Sequence, residues 1–283
     1  MKRTSARQQK VAAVYDSDIW PLVPQRAAEL ILRALPRRPA TTAFEAGCAT
    51  GHLTRAVAER LDDASKILAI DASPALIELA EAARPRPETG AKISFQVADP
   101  VPRLPADDAA YDLALSNLAL ADAPSPKAAI ADIGRCLKPG GRAIITLPLQ
   151  GSWTEFLDLY GDVMTEQGKH DGLAALGAYR DGLPTAEIAV GWLESAGLVD
   201  VTVEVTRWEL LFKTAREFFF APVIEMGPLP TWKHIAGGHG DEMQDVFFFV
   251  KEAIETYFSG GVFSVTMAIA CLSGSKPDAA GAR

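Results

Sequence analysis

Apolar positions along the chain change period in a regular way. In QRAAELILRAL, Ala27, Leu30, Ile31, Ala34 and Leu35 fall on one stripe of a helix that ends before Pro36. TTAFEAG reads as a short strand entering a glycine-rich turn, and HLTRAVAERL as the helix that follows. KILAID is a near-continuously apolar strand. SPALIELAEAA is a helix with Ser73 as N-cap and Pro74 at its first position. KISFQVAD and YDLALSNLAL read as strands, SPKAAIADIGRCL as a second Ser-Pro helix, KPGG as a turn and RAIITLPL as a strand.

Strands alternating with helices imply βαβ crossovers and a parallel sheet covered on both faces. The expected class is α/β: a doubly wound, Rossmann-like, mostly parallel sheet with an antiparallel edge, helices on both faces and a helical lid inserted in the C-terminal half. The second half supplies that edge. SWTEFLDLYGDVM and TAEIAVGWLESAG read as helices, the latter with Gly197 as C-cap. VDVTVEVTRWELLF reads as a strand of about ten residues with Val201, Val203 and Val205 facing inward. TAREFFFAPVIEM and DEMQDVFFFVKEAIETYF read as helices, GPLPTWKHIAGGHG as irregular and VFSVTMAIACLSG as the last strand. Phe218-Phe219-Phe220 and Phe247-Phe248-Phe249 read as core or lid packing, or as a hydrophobic pocket for an acyl chain or aromatic acceptor, because three adjacent rings on a helix cannot all face one core. The expected organisation is an N-terminal helical cap over 1–40, opening with a loose basic arm over 1–10, then a cofactor-binding core over 41–150. A helical lid or acceptor region with the final strands covers 151–275, and a flexible tail 276–283.

Charge narrows the function classes. The 283 residues carry 28 basic and 36 acidic side chains, a net charge of −8, which stands against non-specific nucleic-acid binding. Lys2, Arg3, Arg7 and Lys10 lead into no apolar region, so no secretory leader is expected. The longest apolar stretch, GVFSVTMAIACL, is interrupted by Ser264 and Thr266 and too short to span a membrane. Cys48, Cys136 and Cys271 lie far apart, and His52, His170, His234 and His239 are scattered, so reduced thiols, no metal and a cytoplasmic location are expected.

The chemistry sits in FEAGCATG. Gly47, Ala49 and Gly51 stand where a strand hands over to a helix, so the backbone can turn tightly against a ligand. The spacing is G-x-A-x-G, and Leu53 occupies the place of the third glycine in the dinucleotide fingerprint. Glu45 beside the turn would repel a phosphate and could hold an ammonium group. A phosphate-free cationic nucleoside, S-adenosylmethionine, is therefore preferred over a nicotinamide cofactor. Asp71 closes the second strand, where a carboxylate can accept ribose hydroxyls, with Ala72 beside it. Asp99 ends the third strand, within reach of an adenine amino group, and Asn117 ends the fourth. Each has a plainer reading: Asp71 as a cap before Ser73, Asp99 as a turn residue before Pro100, Asn117 as a bond at the strand end and His52 as a surface residue.

EAGCATG, LAIDAS, FQVAD, YDLALSNLAL and LKPGGRAIIT, in that order over roughly residues 11–150, resemble the class I S-adenosylmethionine-dependent methyltransferases. The resemblance is closer to the small-molecule and carboxyl branch that includes malonyl-acyl-carrier-protein and quinone methyltransferases. It implies that Glu45, Gly47, Ala49 and Gly51 hold the methionine end of the cofactor, Asp71 the ribose and Asp99 the adenine. It also implies that Tyr15, with Asp16, closes over the cofactor. The implied acceptor is a small or carrier-bound molecule. The chain departs from the biotin-pathway relatives at SNLALAD, where Ala121 and Asp122 replace a His-Trp pair, so no catalytic residue is nominated. A non-catalytic module that senses the cofactor or binds a protein partner is the alternative. A nicotinamide-dependent oxidoreductase ranks third.

Overall fold

A capping box starts the first helix. Ser5 accepts from the Gln8 backbone amide while the Gln8 side chain accepts from the Ser5 amide, satisfying two otherwise orphaned donors. From Ser5 onward the expected loose arm is therefore helical, as α1 (Ala6–Val14). The computed structural model describes residues 4–36, 41–84, 91–99, 103–238, 240–258 and 261–278, so Lys2, Arg3, Pro100 and His239 lie outside the described residues. The chain divides into two compact units. One comprises Met1–Leu147, Ala186–Val205 and Ile269–Arg283; the other comprises Pro148–Thr185 and Thr206–Ala268.

A π-helical segment, Tyr15–Ile19, follows α1 and leads to α2 (Pro24–Ala34), whose Ala27, Leu30 and Ile31 are buried as the stripe requires. Strands β1 (Thr42–Ala46), β2 (Lys66–Asp71), β3 (Lys92–Val97) and β4 (Tyr111–Asn117) are all mutually parallel where they pair. Helices α3 (His52–Ala58), α4 (Pro74–Ala82) and α5 (Pro126–Cys136) come between them or follow them. Ser73 and Ser125 cap α4 and α5, each ahead of a first-position proline. β5 (Leu137–Pro148) pairs parallel with β4, and the full order, with β6 (Val199–Phe212) and β7 (Phe263–Ser275), is β3-β2-β1-β4-β5-β7-β6. Reciprocal bonds, Gly140 N to Lys276 O and Lys276 N to Gly141 O, make the β5–β7 pairing antiparallel. The expected mixed sheet is what forms.

Several elements differ from expectation. KPGG is a bulge inside β5 rather than a turn: the pairing slips from Tyr111–Leu137 to Leu113–Arg142, with Gly140 at φ +72°. Lys276, placed in the flexible tail, is fastened. Its ammonium donates to the carbonyls of Gly134 and Leu137, capping the C-terminal end of α5. β4 stops at Asn117, because Leu118 turns left-handed (φ +65°) into a short 3₁₀ turn, Ala119–Asp122. On β6, Val203 and Val205 are exposed rather than inward. β6 is the last strand of the sheet, and its burial is confined to Leu210 and Phe212 near its end.

The second unit holds α6 (Thr154–Glu166) and α7 (His170–Gly182). After α8 (Ala186–Ser195) of the first unit come α9 (Ala215–Phe220), α10 (Pro222–Glu225), α11 (Leu229–Ile235) and α12 (Asp241–Tyr257). α11 occupies the stretch read as irregular. Its prolines fall at the start, where a missing N–H is harmless. The unit's core is aromatic. Phe156 stacks on Trp232 at 4.1 Å and contacts Phe218 at 5.1 Å, while the Tyr160 hydroxyl donates to the Trp232 carbonyl at 2.6 Å. Phe156 is fully buried, so Phe156→Ala should destabilise by about 3–5 kcal/mol. Chemical denaturation checks this; a loss under about 1 kcal/mol would contradict the central role given to that ring.

Candidate functional site

The turn between β1 and α3 is built on alternate left-handed residues, with φ +73° at Gly47, +47° at Ala49 and +75° at Gly51. Only glycine adopts such angles without strain, so Ala49 stores some. The glycines also answer to the protein's own packing. A Cβ on Gly47 would lie 2.0 Å from the Ala119 Cβ, and one on Gly51 would lie 2.7 Å from the Phe95 ring and 3.2 Å from the Ala80 Cβ. The close approach that the sequence points to is therefore made by the turn after β4, by β3 and by α4.

The end of β2 holds this elbow. The Ile70 carbonyl accepts from both Gly47 N and Cys48 N at 2.9 Å. The Asp71 carboxylate accepts from Ala49 N at 3.0 Å with one oxygen and from Ser73 N at 2.9 Å with the other. Asp71 is thus both the cap before Ser73 and the pin of the elbow. Burial raises its pKa, and these two amide bonds work against the rise.

Glu45 lies in β1, fully buried, with the Thr54 hydroxyl donating to it at 2.6 Å. Burial pushes its carboxyl up to about 7. The Thr54 bond and the Arg55 charge oppose that rise, and the Asp71 charge adds to it. Tyr15 stands in the same field: burial raises its pKa, followed by the negative charges of Asp71 and Glu45. The structure thus brings Tyr15, Glu45, the elbow and Asp71 together. Ala72 is exposed beside Asp71, and Asp99 is exposed two residues past β3, whose Val97 pairs with Asp71. Asn117 spends both ends of its amide within the protein. It donates to the Pro24 carbonyl at 2.9 Å and accepts from the Thr146 hydroxyl at 2.8 Å, joining α2 to the ends of β4 and β5.

A cluster not read from the sequence closes the N-terminal side. His52 Nε2 lies 2.8 Å from an Asp16 carboxylate oxygen, and its ring stacks on Trp20 at 4.7 Å with 13° between the planes. Burial raises the Asp16 pKa, but the nearby Thr50 hydroxyl and the His52 hydrogen bond more than offset this and hold it below the usual range. The Tyr-Asp dipeptide and the His after Gly51 were visible separately; only the fold brings them face to face.

Such a site suits a cationic, phosphate-free ligand: two acids flank a tight main-chain elbow, one of them near neutrality when alone. Among the described residues, no three His, Cys, Asp or Glu side chains gather as a metal site would need. The stability consequence has a definite sign. Glu45 is raised from 4.5 to about 7, so its stabilisation is complete below about 4.5 and is lost as pH rises through about 7. Measured by denaturation of the protein alone, wild type should lose on the order of 3 kcal/mol relative to Glu45→Gln between pH 4.5 and 8. An unchanged difference across that range would contradict the burial of Glu45 as a proton-holding acid.

A family model described as a methyltransferase domain matches residues 44–145. A malonyl-[acyl-carrier protein] O-methyltransferase from Herminiimonas arsenicoxydans is 27% identical over 201 residues, covering 70% of this chain and 67% of the relative. A 23S rRNA (guanine(748)-N(1))-methyltransferase from Streptomyces fradiae is 30% identical over 163 residues, covering 58% of this chain and 53% of the relative. The chain spans between 33% and 67% of the length of the first curated relatives it matches. Among solved structures, a phosphoethanolamine N-methyltransferase 2 from Haemonchus contortus, in complex with phosphomonomethylethanolamine and S-adenosylhomocysteine, superposes with a TM-score of 0.51. It is 16% identical, and the match covers 90% of this chain and 53% of that one, a likeness of fold. Residues 44–145 thus match a methyltransferase domain, and with the glycine elbow and sheet order around them they are similar to the class I S-adenosylmethionine-dependent methyltransferases.

Proposed function

We propose that this protein transfers the methyl group of S-adenosylmethionine to a small-molecule or carrier-bound acceptor, with a carboxyl or acyl acceptor preferred. The observation that carries the reading is the buried Glu45 carboxyl beside Asp71 and Tyr15 at the elbow. Bound there, the cofactor would supply an electrophilic methyl group on a sulfonium. In this reading Glu45, with the backbone of Gly47, Ala49 and Gly51, holds the amino-acid end. Asp71 and Ala72 take the ribose, Asp99 the adenine amino group, and Tyr15 covers the pocket. Asn117 supports the wall, since its amide already bonds Pro24 and Thr146. A cation beside Glu45 favours its carboxylate, so binding should release a proton near neutral pH.

Ala121 and Asp122 lie in the 3₁₀ turn after β4 and offer no imidazole base. An acceptor that is already ionised, such as a carboxylate, needs none. Methyl transfer then depends on holding nucleophile and methyl group in line and excluding water. The acidic net charge argues against a nucleic-acid acceptor. No helix of the described residues is long and apolar enough to cross a membrane, and a cytoplasmic enzyme fits this reading.

Titration calorimetry tests it. S-adenosylmethionine should bind with micromolar affinity, more tightly at pH 8 than at pH 6, and Asp71→Ala should weaken binding at least about tenfold. No binding by the wild type would overturn the reading. Binding without methyl transfer to any carboxylate, amine, phenol or carrier-bound acceptor would favour the non-catalytic alternative that Ala121-Asp122 raises.

A further inference from the structure

The second unit carries a cleft of about 390 Å³ between α9, α11 and α12, separate in its residues from the elbow. Phe219, Phe220, Phe247 and Phe248 line it together with Lys233 and Lys251. The inner rings are anchored. Phe219 and Phe247 meet at 5.5 Å, Phe219 reaches Phe156 at 6.0 Å and Phe247 reaches Tyr160 at 5.8 Å. The outer rings are left in solvent, Phe220 at 68% and Phe248 at 57% exposure. Leaving large rings wet loses the burial energy that aromatic side chains usually contribute, so they mark a surface that something covers.

Charge says what covers it. In a chain with eight surplus acids, this cleft presents two lysines, and a third cation, the Arg216 guanidinium, sits 5.8 Å from the Phe220 ring. One carboxylate, Glu225, and the Gln244 amide are the other polar side chains along the wall. The arrangement follows from helical spacing. Phe247 and Lys251 are four apart on α12, as are Leu229 and Lys233 on α11, so each helix offers an apolar step followed by a cation. The volume falls toward the lower end of the roughly 300–1,000 Å³ of small-molecule sites, the size of one compact ligand rather than of a docked helix.

We propose that this cleft binds an amphipathic carboxylate, a medium-chain acyl or aryl acid. Its apolar body lies between the phenylalanines and its carboxylate meets Lys233 and Lys251. The proposal concerns binding to the second unit and stands apart from the methyl-transfer reading; its amphiphile titrations need no cofactor.

Calorimetry of the full chain with decanoate, decanol and decyltrimethylammonium tests it. Decanoate should bind at least about tenfold more tightly than decanol, the ratio expected of a charge-assisted contact, and the ammonium amphiphile should bind weakest. Lys233→Gln with Lys251→Gln should erase the preference for decanoate over decanol. Phe248→Asp, at an exposed position where folding is not at stake, should weaken both. S-adenosylhomocysteine binding, measured separately, should be unchanged in both variants. Equal affinity for decanol and decanoate, a preference that survives loss of both lysines, or no decanoate binding at all would each overturn the proposal.

Discussion

The end of β2 determines where everything else in the first unit can go. One carbonyl, that of Ile70, accepts two consecutive amides of the elbow, and one carboxylate, that of Asp71, accepts two more. Backbone amides buried this close to a sheet edge must find acceptors or lose on the order of 1–3 kcal/mol each. Because β2 supplies them, the elbow can fold back tightly enough for Ala119 to press on Gly47 and for Phe95 and Ala80 to press on Gly51. The left-handed angle at Ala49 is held by the same bonds. The turn is thus held by bonds and contacts of the protein itself.

That bracing has an electrostatic consequence. Pulling the elbow against β2 leaves Glu45 fully buried, with Asp71 and Tyr15 within its field. Two acids so close cannot both ionise freely in a desolvated site, and the deeper one keeps its proton toward neutrality. A cationic ligand relieves this strain, whereas a phosphate would add to it. The N-terminal segment closes the arrangement through Asp16, His52 and Trp20, three residues that share no motif. Tyr15 takes its place because its neighbour is held there.

Much of the fold was legible because local chemistry and global arrangement agree. Ser73-Pro74 and Ser125-Pro126 start helices as read. Gly197 ends α8 with a left-handed φ of +78°, the Gly197 amide on the Glu194 carbonyl and the Leu198 amide on that of Leu193. Reading failed where tertiary partners decide. β6 has the alternation of a half-buried strand, but a position at the sheet edge leaves Val203 and Val205 wet. α7 has one buried residue, Leu176, and so no periodic stripe to detect. In the site, residue types were visible but not their duties. Gly47 and Gly51 make room for the protein itself, and Asn117 is absorbed in joining α2 to the sheet. Asp71 serves the elbow, and its role toward the cofactor is part of the proposal above. The partnership of Asp16 with His52 spans 36 residues and has no local signature.

The most direct test of this account is a crystal structure of the protein grown with S-adenosylhomocysteine. The account predicts density for the nucleoside along the C-terminal ends of β1 and β2, against the elbow, with its ribose at Asp71 and its amino group toward Glu45. Clear density elsewhere, or an elbow that must break its bonds to Ile70 and Asp71 to admit the ligand, would contradict it.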